Sequence, residues 1–461
     1  MSFRGESAEG SSILLKVLTY LKVKRLSEWH VILFSFCMIM GNRSTGWNAG
    51  LSTHGIYALW FNLLFSASGF LCLCLCMGEM SSALPFSGGV FGFVRAALGP
   101  FFGFMVASCE FVLCIVGICL RALRFLSDGG AGADVGGVIG IFALCLLMNL
   151  MGGKPVFVLT SLIGFFTVMM LVVYLCGTLS AVGTDAVNYT HYSPPIVEFS
   201  WLHVMASRPA VSGAFNAIQF LPLLSEYMQE PREQLPRVLL ISWASFLLMS
   251  VFVILAAVSQ NPGAKSLQAA PLPLQAGFVR IFNIQDLRNI QWFDFPFQFG
   301  PIFCLFYCAG KQLLALSKSG LLPPVFSQVI PGSETPYVCY TFTAIVGAGM
   351  NIFVLYNQDY LVEIRALNTT VSVTIFVFCF IAFVVFRRKF SSMSRSFVNP
   401  LGDFSAIYGS GVFIIAWIAT LFYNPVNKLF LVGLGAYWLL CAIFFCTYLV
   451  HNQKFSEEEK K

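Results

Sequence analysis

The chain has 461 residues, of which 57% are hydrophobic and 10% charged, with a mean hydropathy of +0.79 and a net charge of +6. Soluble domains carry about a quarter charged residues, so this composition excludes a water-soluble globular fold. Apolar runs of about 20 residues recur along the chain and argue against the alternating ten-residue segments of an outer-membrane barrel. No Lys/Arg block interleaved with aromatics signals nucleic acid.

In chain order, residues 1–27 form a polar or amphipathic N-terminal segment without a small-residue cleavage site. The apolar run near Trp29 is therefore predicted to be a retained first span. Twelve spans are predicted, at 28–56, 58–80, 101–126, 135–152, 155–183, 209–228, 237–259, 293–316, 337–356, 361–386, 405–424 and 428–450, followed by a tail at 451–461. Ser87 to Pro100 reads as a short amphipathic element at the inner surface.

Two of these spans are interrupted. Gly41-Asn-Arg-Ser-Thr-Gly46 breaks the first and Gln219-Phe-Leu-Pro222 breaks the sixth. Five spans separate the two breaks, an odd number, so the second half of the chain is predicted to be inverted relative to the first. Paired broken helices at matching places point to a transporter's binding site. A second parallel sets Gly92-Phe-Val-Arg95, after span two, against Gly277-Phe-Val-Arg280, after span seven.

Orientation follows from the basic residues. With the N-terminus inside, the inner segments hold eighteen Lys and Arg, and the outer ones hold seven: Arg121, Arg124, Arg208, Lys265, Arg280, Arg288 and Lys428. Both termini are thus predicted to be cytoplasmic, and the sequon at Asn188 falls in an outer loop as a glycosylation candidate. The fifteen cysteines lie mostly in apolar runs, where they act as small hydrophobes. Cys72, Cys74 and Cys76 have neither neighbouring ligands nor zinc spacing, so no metal and no cofactor is expected. The five histidines sit near span ends or in loops, which gives a membrane-embedded enzyme no catalytic constellation.

Several motifs occur in a telling order. Span one carries Gly46-Trp-Asn-Ala-Gly50, and span two runs into Gly78-Glu-Met-Ser-Ser-Ala-Leu-Pro-Phe-Ser-Gly-Gly89, with Ala97-Leu-Gly-Pro100 beyond it. Span six carries Ala214-Phe-Asn-Ala-Ile-Gln219, then Pro231-Arg-Glu-Gln-Leu-Pro-Arg237. Span eight ends in Ala315-Leu-Ser-Lys-Ser-Gly-Leu-Leu-Pro323. In these residues the chain resembles the amino acid, polyamine and organocation permeases, most of all their ethanolamine and amino acid permease-like branch. The resemblance covers residues 28 to 450. It implies an all-α integral membrane fold: a first five-helix repeat at 28–183, an inverted second one at 209–386, and two peripheral helices at 405–450. It also implies substrate at the two breaks, with Gly41, Asn42, Arg43, Ser44, Thr45 and Gly46 on one side and Phe215, Asn216, Ala217 and Gln219 on the other. Ala217 stands where the family usually has glycine, Lys311 where an arginine is common, and Arg43 where ethanolamine-type relatives tend to be acidic.

Unwound segments leave backbone N–H and C=O groups that lipid cannot satisfy and a polar substrate can. Ionisable groups inside spans cost a few kcal/mol each on insertion scales, so they are functional candidates. Arg43, in the first break, suits a substrate carboxylate, and Glu110, about ten residues into span three, suits an amine. The alternative for both is an internal Arg43–Glu110 ion pair. Glu79, Glu226, Arg95 and Arg237 are candidates for an inner gate of ion pairs. Tyr307 is the lone hydroxyl of Phe303 to Gly310 in span eight, so a sodium site is unsupported, which leaves proton coupling, through Glu110, or exchange. The function expected is amino acid transport by alternating access, in the plasma membrane, with a small-molecule substrate and the lipid bilayer as partners. A polyamine or ethanolamine permease and a non-transporting sensor of the same fold are the alternatives.

Overall fold

The computed structural model describes residues 26–43, 47–128, 134–179, 215–260, 263–267, 270, 272–284, 291–331, 333–423 and 428–450. The candidates Ser44, Thr45, Gly46 and Asn188 lie outside these residues, as do the side chains of Asn42 and Arg43. Among the described residues the chain is helical, with two isolated bridges, Leu26 to Met228 and Ile330 to Thr335. Among these described residues nine helices are long and apolar enough to cross a membrane, and two shorter apolar ones cover Glu28–Ile39 and Val135–Leu150.

The first predicted span is the helix α1 (Glu28–Ile39), which ends in a 3-10 turn, Met40–Arg43. Beyond the break, α2 runs without interruption over Ala49–Ala83. The predicted boundary between spans one and two, at 56 to 58, is therefore absent. Glycines occur there but no proline, and helix-internal glycine is tolerated where proline is not. At 35 residues α2 is roughly 50 Å long, more than the apolar core of a bilayer requires.

The amphipathic element predicted at Ser87 to Pro100 is helix α3 (Val90–Leu98). Glycines with positive φ flank it, Gly89 at +66° and Gly99 at +99°, a conformation that a side chain disfavours. Then come α4 (Pro100–Asp128), α5 (Val135–Leu150) and α6 (Gly153–Thr178). The described part of span six is a 3-10 segment, Ile218–Tyr227, containing Pro222. It leads into α7 (Pro231–Val258). A short helix α8 (Gln275–Phe282) follows, so the Gly-Phe-Val-Arg tetrapeptides at 92 and 277 both lie on short helices placed after a long one. The chain then forms α9 (Gln291–Lys318), α10 (Tyr337–Tyr356), α11 (Leu361–Lys389), α12 (Asp403–Tyr423) and α13 (Lys428–Phe444).

Helix α9 is the axis of the bundle. It is buried along nearly its whole length, whereas α13 turns most of its surface outward. It packs against α1, α4, α6 and α10 and against both 3-10 segments. Aromatic contacts tie the outer layer inward: Phe70 of α2 meets Phe215, Phe376 of α11 and Phe413 of α12 at centroid distances of 5.4, 5.4 and 5.1 Å.

Candidate functional site

The first break is shaped by close backbone approach. A Cβ added at Gly41 would lie 2.0 Å from the Phe297 carbonyl oxygen and 2.6 Å from Pro301, so only glycine lets this turn seat on α9. Helix α1 is fixed beside it by Gly300, where a Cβ would fall 2.9 Å from Cys37 Sγ, and by the Ser35 to Ser242 hydroxyl pair at 2.9 Å. Beyond the break, Asn48 donates to the Leu267 and Ala270 carbonyls at 2.7 and 2.8 Å, which ties the start of α2 to the segment after α7.

The second break is closed by its own side chains. Ala217 has φ of +90°, a region that costs a non-glycine residue roughly 1–2 kcal/mol. The family's usual glycine at this position is thus explained by backbone conformation. Gln219, predicted to line the substrate, is buried and accepts the Ala217 N–H at 3.0 Å. Phe215 is fully buried and stacks on Phe70, and Asn216 is half-buried.

Glu110 lies elsewhere. Its Oε2 accepts from Gln312 Nε2 at 2.6 Å and from the Phe91 N–H at 3.3 Å, which joins α4 to α9 and to the start of α3. Its Oε1 is buried without a hydrogen-bond partner, and among the described residues no cation lies within ion-pair distance of it. Gln312 stands 11 to 15 residues along α9 from Pro301 and Phe297, the seat of Gly41, or roughly 16–22 Å at 1.5 Å per residue. The structure does not bring Glu110 to the level of the first break. The ammonium and carboxylate of one amino acid lie much closer together than that, so in this conformation a single zwitterion does not span both.

The four gate candidates find partners that differ from those expected of one another. Glu226 pairs with Lys311 of α9 at 2.7 Å, and the Lys311 ammonium also donates to the Tyr227 hydroxyl. Tyr307, one turn away, is buried edge-on to Phe34 and Phe157, at 5.8 and 5.7 Å, and its ring lies 5.9 Å from the Lys311 ammonium. Glu79 is fully buried and accepts from Arg387 at 3.2 Å, from Arg395, and from the Asn399 N–H at 2.9 Å. It thereby anchors the connection between α11 and α12 on the end of α2. Arg237 meets Glu28 at 2.9 Å on a mostly exposed surface, where such a pair contributes at most about 1 kcal/mol. Arg95 is buried on α3, its guanidinium 6.0 Å over the Phe91 ring.

Both 3-10 segments, Met40–Arg43 and Ile218–Tyr227, thus contact the same buried helix, α9. The family model of the amino acid permeases matches residues 26–445. The chain belongs to the amino acid permease family, within the amino acid, polyamine and organocation superfamily, and it is a transporter. Its curated relatives are distant. A methylthioribose transporter of Bacillus subtilis (strain 168) is 22% identical over 401 residues, covering 79% of this chain and 83% of the relative. A branched-chain amino acid permease of the same organism is 24% identical over 395 residues, 78% of each chain. A polyamine transporter of Arabidopsis thaliana is 23% identical over 354 residues, 72% of this permease and 67% of the relative.

Lys311, Gln312, Tyr227, Arg387 and Arg395 were not assigned these partners by the sequence. Lys311 and Glu226 stand 85 positions apart, and only their buried or amphipathic setting hinted that they seek a partner.

Proposed function

We propose that this permease is a secondary transporter of amino acids, working by alternating access around its two broken helices. The observation that carries the proposal is the seating of both breaks, Met40–Arg43 and Ile218–Tyr227, on the buried helix α9. Unwound backbone there offers N–H and C=O groups to a substrate's carboxylate and amine. Gly41 through Gly46 and Phe215, Asn216, Ala217 and Gln219 form the substrate site in this reading, and Arg43 adds a positive charge that favours a carboxylate-bearing substrate over a plain organocation. The twelve-span, inverted-repeat arrangement is part of the proposal, and the matched short helices α3 and α8 support it.

The Glu226–Lys311 pair lies where the second broken segment meets α9 and acts as the lock of the passage on the Glu28 side. The distribution of Lys and Arg supports a cytoplasmic placement of this side, and location in the plasma membrane is part of the proposal. Glu110 is a carboxyl group buried without a cation, an arrangement costly for an anion and suited to accepting a proton, which supports proton coupling.

Uptake of labelled amino acids, polyamines and ethanolamine in a transport-deficient cell tests the reading. Uptake of an amino acid that is lost in Arg43→Ala and strongly reduced in Glu110→Gln is the expected result. Carriage of putrescine or ethanolamine alone would instead establish the organocation alternative, which the polyamine-transporting relative keeps in play.

A further inference from the structure

The connection between α11 and α12 meets the bundle on the Glu28 side. Its Ser396 hydroxyl donates at 2.7 Å to the Arg232 carbonyl, in the first turn of α7, the helix whose Arg237 pairs with Glu28. The connection opens on Arg388-Lys389-Phe390-Ser391, in which Arg388, Lys389 and Ser391 are exposed. Arg388 and Lys389 close the last turn of α11, and helix ends fray. Beyond them the Phe390 carbonyl closes a turn by accepting the Met393 N–H at 3.3 Å. Basic residues three and two positions before a serine are the charge pattern that a basophilic protein kinase binds in its acidic cleft.

The surroundings of Ser391 give a phosphate there a partner. The Phe390 carbonyl also accepts from Arg395 Nη2 at 2.9 Å, and covalent geometry keeps Ser391 Oγ within roughly 5 Å of that carbonyl oxygen. The same guanidinium holds the fully buried Glu79 through Nη1. Its Nε, by contrast, is buried without a hydrogen-bond partner among the described residues. Arg387, one turn before Ser391, meets Glu79 at 3.2 Å and Asp403 at 3.3 Å. Ser391 thus adjoins the two arginines on which the anchor of α2 depends. A phosphoserine is close to a dianion with three strong acceptor oxygens, and the arginine fork binds such a group bidentately.

We propose that Ser391 is a phosphorylation site and that its phosphate releases the Glu79 anchor. This rests on the proposed cytoplasmic placement of the Glu28 side. Ser391 Oγ attacks the γ-phosphorus of ATP, the new O–P bond replaces the one to the β,γ-bridging oxygen, ADP leaves, and the serine proton passes to solvent. The dianion then takes the Nε and Nη2 edge of Arg395, where a neutral carbonyl was the only acceptor, and draws Nη1 from Glu79. Glu79 is left with Arg387 and the Asn399 N–H. Taking one partner from a buried ion pair is destabilising, so the connection loosens from the end of α2. Helix α2 starts beyond the first break, and loss of its fixed far end slows the movement of the broken helices.

The test treats the purified full chain with ATP and a protein kinase that prefers Arg and Lys before serine, in the wild type, Ser391→Ala and Arg388→Gln. Mass spectrometry should find phosphate on Ser391 of the wild type, reduced about tenfold or more in Arg388→Gln. Phosphate confined to other serines, or none, overturns the site. Phosphorylated wild type should melt lower by about 3 °C or more, while kinase-treated Ser391→Ala stays put. Equal melting temperatures, or a rise, overturn the release of Glu79. In liposomes, with labelled leucine, glutamate and putrescine as probes, the maximal rate for the carried probe should fall about threefold or more, and an unchanged rate refutes the link to transport. Kinase added to sealed membrane vesicles tests the side separately. Incorporation in inside-out vesicles alone is expected. Incorporation in right-side-out vesicles alone defeats the cytoplasmic placement and the proposal with it, even where the detergent-purified chain is phosphorylated on Ser391.

Discussion

The two broken segments solve one problem by opposite means. Each must leave the helical path inside a bundle without stranding backbone polar groups. The first does so by removing side chains: Gly41 lets the turn press its backbone on Phe297 and Pro301. The second does so by adding one: Gln219 folds back to accept the Ala217 N–H, while Ala217 itself holds a positive φ. The first break is thus defined by its neighbour, α9, and the second largely by itself. A rigid contact and a self-capped, strained turn respond differently to substitution.

Four substitutions sharpen that contrast. Gly41→Ala should have the largest effect, since its Cβ would meet a backbone oxygen at 2.0 Å. A loss of about 3 kcal/mol with loss of uptake is expected, read as thermal stability in detergent and as transport. Glu226→Gln should follow at about 2–3 kcal/mol, because it leaves the buried Lys311 ammonium without its carboxylate. Glu226→Gln combined with Lys311→Met should recover part of that stability yet leave uptake impaired, and a double-mutant cycle measures the coupling. Gln219→Leu should cost about 1–2 kcal/mol by uncapping the Ala217 N–H. Ala217→Gly should be the smallest and opposite in sign, a gain of about 1 kcal/mol as the positive φ becomes strain-free. If Ala217→Gly destabilises instead, the second break is held by its surroundings, and the contrast between the two fails.

The breaks themselves were legible in the sequence because glycine, proline and polar residues stand out in apolar runs. Glu110 was legible as a buried ion for the same reason. Its place in the bundle was not, since depth along one helix does not give the register against another. The Phe91 N–H and Gln312, which hold it, come from 19 residues before and 202 residues after it. Arg121 shows the converse. A charge near the end of an apolar run reads as a loop residue, yet here Gly117 opens a slot for it beside α9.

By itself the sequence determined the solvent of this protein, the helical form that solvent imposes, the points where the helices break and the family to which the chain belongs. These follow from local composition, because a bilayer tolerates so few backbone solutions. Only the tertiary structure decided which charges meet. Glu226 finds Lys311 and Glu79 finds Arg387 and Arg395 across distances in sequence that no periodicity encodes. Such pairs depend on the packing of α9, α2 and α11 against their neighbours, and packing is a property of the whole bundle.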